Sequence, residues 1–121
     1  MRNRIQFDEQ LEVIDQLYDV EVHEKGDYSY LLFYNEEKEK VVIKFHGQEL
    51  VMSRFSNPKT IMRFLKDSDS LAYIPTPTGM QEFIIQTSHY QVDGQKIELD
   101  YQLQNQEGQA FASYQLEITW C

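Results

Sequence analysis

Basic residues are scarce in this chain: 11 Lys and Arg stand against 20 Asp and Glu, a formal net charge of -9 over 121 residues. The few cations form no run, so a surface that tracks a phosphate backbone is not expected and nucleic acid is set aside as a partner. Cysteine is nearly absent, Cys121 being the only one, which rules out an internal disulfide and a cysteine-based metal cage. It also lacks the three following residues of a prenylation box, and reads as an incidental thiol. Long apolar runs are missing too. Leu31-Leu32-Phe33-Tyr34 is typical of the longest, and no charged segment leads into a hydrophobic one at the N-terminus, so neither a membrane span nor a secretory signal is expected. A cytoplasmic protein with no membrane partner is predicted.

What the chain does have is 41% hydrophobic and 13% aromatic residues, spread evenly enough for a folded domain. Its length suits a single domain with a single core, here taken as residues 1–121. The 5 glycines and 3 prolines fall at turn positions, among them Lys25-Gly26-Asp27, His46-Gly47-Gln48, Asp93-Gly94 and Pro75-Thr76-Pro77. Between them, Val, Ile, Tyr and Phe recur with period two, which predicts an all-β, antiparallel up-and-down meander of about eight to ten strands closed into a barrel.

The C-terminal half alternates most regularly. Ile97, Leu99, Tyr101 and Leu103 interleave with Glu98, Asp100, Gln102 and Gln104, a strand with one buried and one wet face. A turn over 105–108 is expected to pair Leu103 with Ala110, Tyr101 with Ala112, Leu99 with Tyr114 and Ile97 with Leu116. On the other side an Asp93-Gly94 turn would pair Tyr90 with Ile97. Phe83, Ile85 and Thr87 are then out of phase with Tyr90, and one extra residue at Ser88-His89, a β-bulge, restores them to the inner face opposite Leu103, Tyr101 and Leu99.

Upstream, a tight turn at Gly47-Gln48 pairs Phe45 with Leu50, Ile43 with Met52 and Val41 with Arg54, which puts an arginine on the apolar face. A turn through Ser56 to Thr60 brings Met62 and Phe64 inside and leaves Arg63 outside. Tyr28, Tyr30, Leu32 and Tyr34 are assigned to the inner face, although Leu31 and Phe33 fit the opposite phase nearly as well. In the N-terminal stretch Leu11, Ile14, Leu17 and Tyr18 fit a short amphipathic helix, while Ile5, Phe7, Val20 and Val22 alternate as strands. Long strands are the reading adopted.

From Val41 onward a set of residues resembles a known family. Val41-Val42-Ile43-Lys44, Arg54, Met62 and Phe64, Tyr73 with Thr76-Pro77-Thr78-Gly79, Thr87 with Tyr90, Ile97 with Tyr101-Gln102-Leu103, and Leu116-Glu117-Ile118 are similar to the YwiB-like family, a bacterial family of unknown function. Two positions depart from its pattern: Ser56 stands where a glycine is usual, and a glycine near Leu17 is missing. The resemblance implies a calycin, or lipocalin-like, barrel with an interior in which calycins often carry small apolar molecules. It implies no activity.

Signatures of chemistry are few. No glycine spacing suits a dinucleotide or P-loop site, and there is no Gly-x-Ser-x-Gly elbow. His23-Glu24 begins like a zinc-protease motif, but position 27 is Asp27. Asp67-Ser68-Asp69-Ser70 lacks the glycine and distal glutamate of a calcium loop and reads as a wet turn. His46 and His89 have no second ligand at metal spacing, and Asn35 to Lys40 reads as a charged hairpin tip. No metal, no cofactor and no catalytic residue is assigned, and an enzyme ranks third.

Arg54 stands apart, because a guanidinium on an apolar face needs an acceptor: a protein carboxylate or carbonyls on one reading, a ligand anion on the other. The leading expectation is therefore a module that holds a small amphipathic or anionic molecule inside the barrel, with Arg54, Tyr73, Ile85, Thr87, Tyr101 and Tyr114 as candidate lining residues. The alternative is a filled barrel acting as an interaction or homodimerisation module, using outward-facing Val51, Leu31 and Phe33.

Overall fold

The computed structural model describes residues 1–7 and 12–120. They form β-strands only: β1 Arg2–Phe7, β2 Glu12–Leu17, β3 Glu21–Lys25, β4 Tyr28–Tyr34, β5 Lys40–His46, β6 Glu49–Arg54, β7 Thr60–Leu65, β8 Asp69–Thr76, β9 Gly79–Asp93, β10 Lys96–Gln104 and β11 Ala110–Thr119. All belong to one antiparallel sheet in the order β2-β1-β11-β10-β9-β8-β7-β6-β5-β4-β3. The expected meander is present, with eleven strands among the described residues rather than eight to ten.

The sheet curls round so that the ends of its two edge strands come near each other. β2 and β3 are the two edges, yet only Tyr18, Asp19 and Val20 separate Leu17 from Glu21, so those strand ends lie within about 14 Å of each other. Alternating strand directions around the sheet make β2 and β3 run the same way. They act as two halves of one bent strand, the first paired with β1 and the second with β4. Tyr18 extends the first half, exchanging backbone hydrogen bonds of 2.8 Å with Met1, and packs its ring in a tilted contact 4.8 Å from Phe33 of β4. The helical alternative fails here: Ile14 and Leu17 are in β2, and Leu11 lies outside the described residues.

Opposite walls touch across the interior. Phe64 of β7 meets the Tyr101 ring of β10 at 4.7 Å, and Phe45 of β5 meets Trp120 at 5.5 Å. Tyr90 of β9 is buried and donates its hydroxyl proton to the backbone oxygens of His46 (2.5 Å) and Glu49 (3.1 Å) at the β5–β6 turn. Leu31, Ile43, Leu50, Ile85, Ile97, Leu99 and Ile118 fill the middle, so this part of the barrel is a packed core.

The register of β5, β6 and β7 is as the turns required: Phe45 opposite Leu50, Ile43 opposite Met52, Val41 opposite Arg54, Met52 opposite Met62 and Arg54 opposite Thr60. The bulge is also in place, since Asp100 pairs with His89 and Tyr101 with Thr87, leaving Ser88 extra. Other pairings are shifted by two residues. Tyr90 faces Leu99, not Ile97; Thr87, Ile85, Leu103, Tyr101, Leu99 and Ile97 meet Tyr101, Leu103, Ala112, Tyr114, Leu116 and Ile118 respectively. A displacement of two keeps these side chains on their expected face; Ala110, which now pairs with Gln104 beyond a one-residue shift, is the exception. In β4 the phase is reversed: Leu31 and Phe33 are buried against Ile43 and Val41, and the tyrosines face out. Leu31 and Phe33 are therefore unavailable for an outer interaction surface.

Two hairpin loops share one geometry. In 35–39 and 105–109 the asparagine at the first position accepts backbone N–H bonds from the third and fifth residues, at 2.9 to 3.0 Å. The fourth residue is left-handed in both, Gly108 at φ 82° and Lys38 at φ 62°. A side chain at that φ is strained where glycine is not. Lys38→Gly is expected to raise stability by about 0.5 to 1 kcal/mol, read as a higher urea midpoint, whereas an unchanged midpoint would mean the strain is relieved elsewhere.

Candidate ligand site at the open end of the barrel

At the end of the barrel that carries the 35–39 tip and the β6–β7 loop, the packing stops short of the mouth. A cleft of about 260 Å³ remains, lined by Met52, Arg54, Thr60, Met62, Ile74 and Pro75. Its floor follows from register: Met52 and Met62 are directly opposed, as are Arg54 and Thr60 one step nearer the rim. Methionine thioethers give an apolar wall that adapts to shape.

The guanidinium of Arg54 is half exposed rather than enclosed. Its nearest acid is Glu39, with Oε1 3.6 Å from Nε, too far for a hydrogen bond. Among the described residues Arg54 donates no hydrogen bond, so a group built for five donations is left open over an apolar floor. Opposite it, the Thr60 hydroxyl is buried and has no hydrogen-bond partner among the described residues. Buried polar atoms are seldom left so. Arg54 is on the inner face, as its pairing with Val41 required, but it sits at the rim where water reaches it, and the acceptor expected for it is not within hydrogen-bonding distance among the described residues.

The other candidate residues divide. Thr87, Tyr101 and Tyr114 form one row across β9, β10 and β11, and Ile85 is fully buried beside Leu103. The Tyr101 ring is held between Phe64 and Tyr114, the latter stacked at 5.0 Å, and burial pushes its hydroxyl well above the usual tyrosine range. The Thr87 hydroxyl, like that of Thr60, is buried without a hydrogen-bond partner among the described residues. These four belong to the packed middle, not to the cleft. Tyr73 is the exception, for it stands on the outer face, opposite Ile61 and Glu82. On β8 it is Ala72 and Ile74 that point inward. Ile74 and Pro75 were thus missed by the sequence reading; the register that sets Ala72 inward against Phe83 reveals Ile74, whereas Pro75 pairs with outer-face Met80 and no register marks it.

Two polar features lie on the outer face. His89, Glu98, Asp100 and Glu117 border a shallow groove of about 380 Å³ with Arg4. At its border His89 and Lys96 each lie 3.5 Å from Glu98, and the hydrogen bond from His89, then the charge of Lys96, holds that carboxyl below its usual range. Nearer the β5–β6 turn, Glu49 is buried and accepts from Arg63 Nε (2.6 Å) and Tyr28 (3.1 Å). No cluster of three or more metal-ligating side chains occurs among the described residues. Nor is any helix among them long and apolar enough to cross a membrane.

An antiparallel curled barrel with an apolar cleft at one end defines the chain as calycin-like in fold. The family described as Domain of unknown function (DUF1934) matches residues 1–118, and the chain belongs to that family. The crystal structure of ywiB protein from Bacillus subtilis superposes with a TM-score of 0.71 at 22% identity, covering 99% of this chain and 88% of that one. At that identity the likeness speaks for the fold. No curated protein matches the chain.

Proposed function

We propose that this domain is a binding module that holds a small amphipathic anion at the open end of its barrel. The observation that carries the reading is Arg54, a guanidinium without a hydrogen bond among the described residues, poised over Met52, Met62, Ile74 and Pro75. An acid group placed there gains charge-assisted bonds while its apolar body leaves water. The body would lie along the methionines, not among Tyr101 and Tyr114, whose space is filled.

Because Arg54 is 49% exposed and its contact with Glu39 is loose, the pair adds little to folding, within about 1 kcal/mol. Arg54→Leu is expected to leave the urea midpoint nearly unchanged and to abolish retention of an acidic small molecule by protein purified from its own host, read by native mass spectrometry. Retention undiminished in the variant would refute the assignment. A second reading is favoured by a different observation: Ile61, Leu71, Tyr73 and Met80 are exposed on the outer face of β7, β8 and β9, an apolar row suited to another protein surface. A clean dimer without added mass in the same spectrum would favour that reading.

A further inference from the structure

Glu39 is placed at the cleft mouth by its own turn, not by Arg54. Its backbone N–H donates to Asn35 Oδ1 at 3.0 Å, its carbonyl accepts from the Asn35 N–H at 3.0 Å, and its Oε1 accepts from Asn35 Nδ2 at 3.1 Å. With its backbone and one oxygen so fixed, the carboxylate hangs 3.6 Å from Arg54 Nε, close enough to attract and too far to bond. A planar acid already occupies the approach to the guanidinium, weakly held there and satisfied by Asn35 when Arg54 turns away.

Resting on the binding-module reading above, we infer that Glu39 is an internal stand-in for the ligand's acid group, and that the ligand is a monocarboxylic acid with a short aliphatic body. It binds by taking Arg54 from Glu39. Charge favours a monoanion: Arg54 is the one cation that lines the cleft, with Lys38 and Lys40 of the same tip outside its lining, and a dianionic phosphate ester would meet Glu39 with that single half-exposed guanidinium to offset it. Size sets the body. The cleft of about 260 Å³ equals about nine water-sized units of ~30 Å³, which suits a chain of octanoate's length.

The test is calorimetric titration of octanoate, octanol and octyl phosphate into the wild-type domain, Glu39→Gln and Glu37→Gln. Glutamine at 39 keeps an acceptor for Asn35, so the turn is preserved. Releasing Arg54 from an exposed pair is expected to tighten octanoate about two- to fivefold in Glu39→Gln, with octanol unchanged and Glu37→Gln giving a smaller gain. If the wild type binds octanoate but Glu39→Gln does not improve it, or Glu37→Gln improves it equally, the stand-in is refuted while the binding site survives. Preference for octyl phosphate overturns the carboxylate assignment, and no binding of any probe to any form overturns the site as well.

Discussion

Phe64→Ala is expected to cost the domain about 3 to 5 kcal/mol, the range for removing a fully buried phenylalanine. Phe64 is buried in β7, directly opposite Leu50 of β6, and its ring reaches across the barrel to Tyr101 of β10. Truncation removes the ring that joins two walls, and neither wall can close the gap without bending strands that are hydrogen-bonded on both sides. Single domains are stable by only about 5 to 15 kcal/mol, so this one change takes a large share. Urea unfolding of Phe64→Ala beside Leu17→Ala checks it, because Leu17 is 79% exposed and its loss should stay within about 0.5 kcal/mol. A Phe64→Ala loss as small as that of Leu17→Ala would mean that the walls do not support each other through this contact.

That contact also decides where a ligand can sit. Calycin-like folds suggest a central cavity, but here Phe64, Tyr101, Tyr114 and Tyr90 occupy the axis, and the remaining space lies toward the mouth. The candidate site is smaller than the whole-barrel interior that the sequence suggests, and it is lined by methionines rather than tyrosines.

How much could be read from the sequence depended on how unequal the two faces of each strand were. Around Gly47-Gln48 the alternation Val41, Ile43, Phe45 and Leu50, Met52, Arg54 leaves one consistent register, and with it came the inward direction of Arg54 and, by pairing, of Met62. β4 offered no such asymmetry. Tyr28-Ser29-Tyr30-Leu31-Leu32-Phe33-Tyr34 is apolar on both faces, and tyrosine can face water while its ring covers a neighbour; the Tyr28 ring does so beneath Lys44, whose Nζ lies 4.1 Å from its centroid. In β8, Leu71-Ala72-Tyr73-Ile74 is a run without alternation. The small Ala72 is the inward one because Phe83 and Met62 flank it and fill the space. The two-residue shifts in the C-terminal hairpins come from turn chemistry and a bulge: Gly94, at φ 60°, opens its turn instead of closing it, and beyond the five-residue 105–109 loop the β10–β11 register shifts between Leu103 and Gln104, leaving position 111 of β11 extra. The reach of Glu39 to Arg54 is a diagonal across β5 and β6, two residues beyond the Val41–Arg54 pair, and nothing in the run Glu36-Glu37-Lys38-Glu39-Lys40 singles out Glu39 among its acids.

Arg63→Met is expected to lower stability by about 1 to 3 kcal/mol at pH 7, and to do so less and less as the solution is acidified. Glu49 is the reason. Its side chain is only 10% exposed, and burial alone pushes its carboxyl up. Hydrogen bonds from Arg63 and Tyr28, with the Arg63 charge and nearby His46, outweigh that burial, so Glu49 titrates below the usual carboxylate range. A carboxyl depressed in the folded state stabilises the fold fully above its unfolded value of about 4.3, and that contribution is lost as pH falls through the folded value. Taking Arg63 away leaves a buried carboxylate with one tyrosine donor, a cost that acid removes by protonating it. Because Arg63 is 58% exposed, the loss stays below the 3 to 5 kcal/mol or so of a fully enclosed pair. Urea midpoints of wild type and Arg63→Met at pH 7 and pH 3.5 make the comparison: the gap should narrow at the lower pH as the wild type loses its advantage. A gap independent of pH would assign Arg63 a packing role, through its aliphatic stem over Val51, and not an electrostatic one.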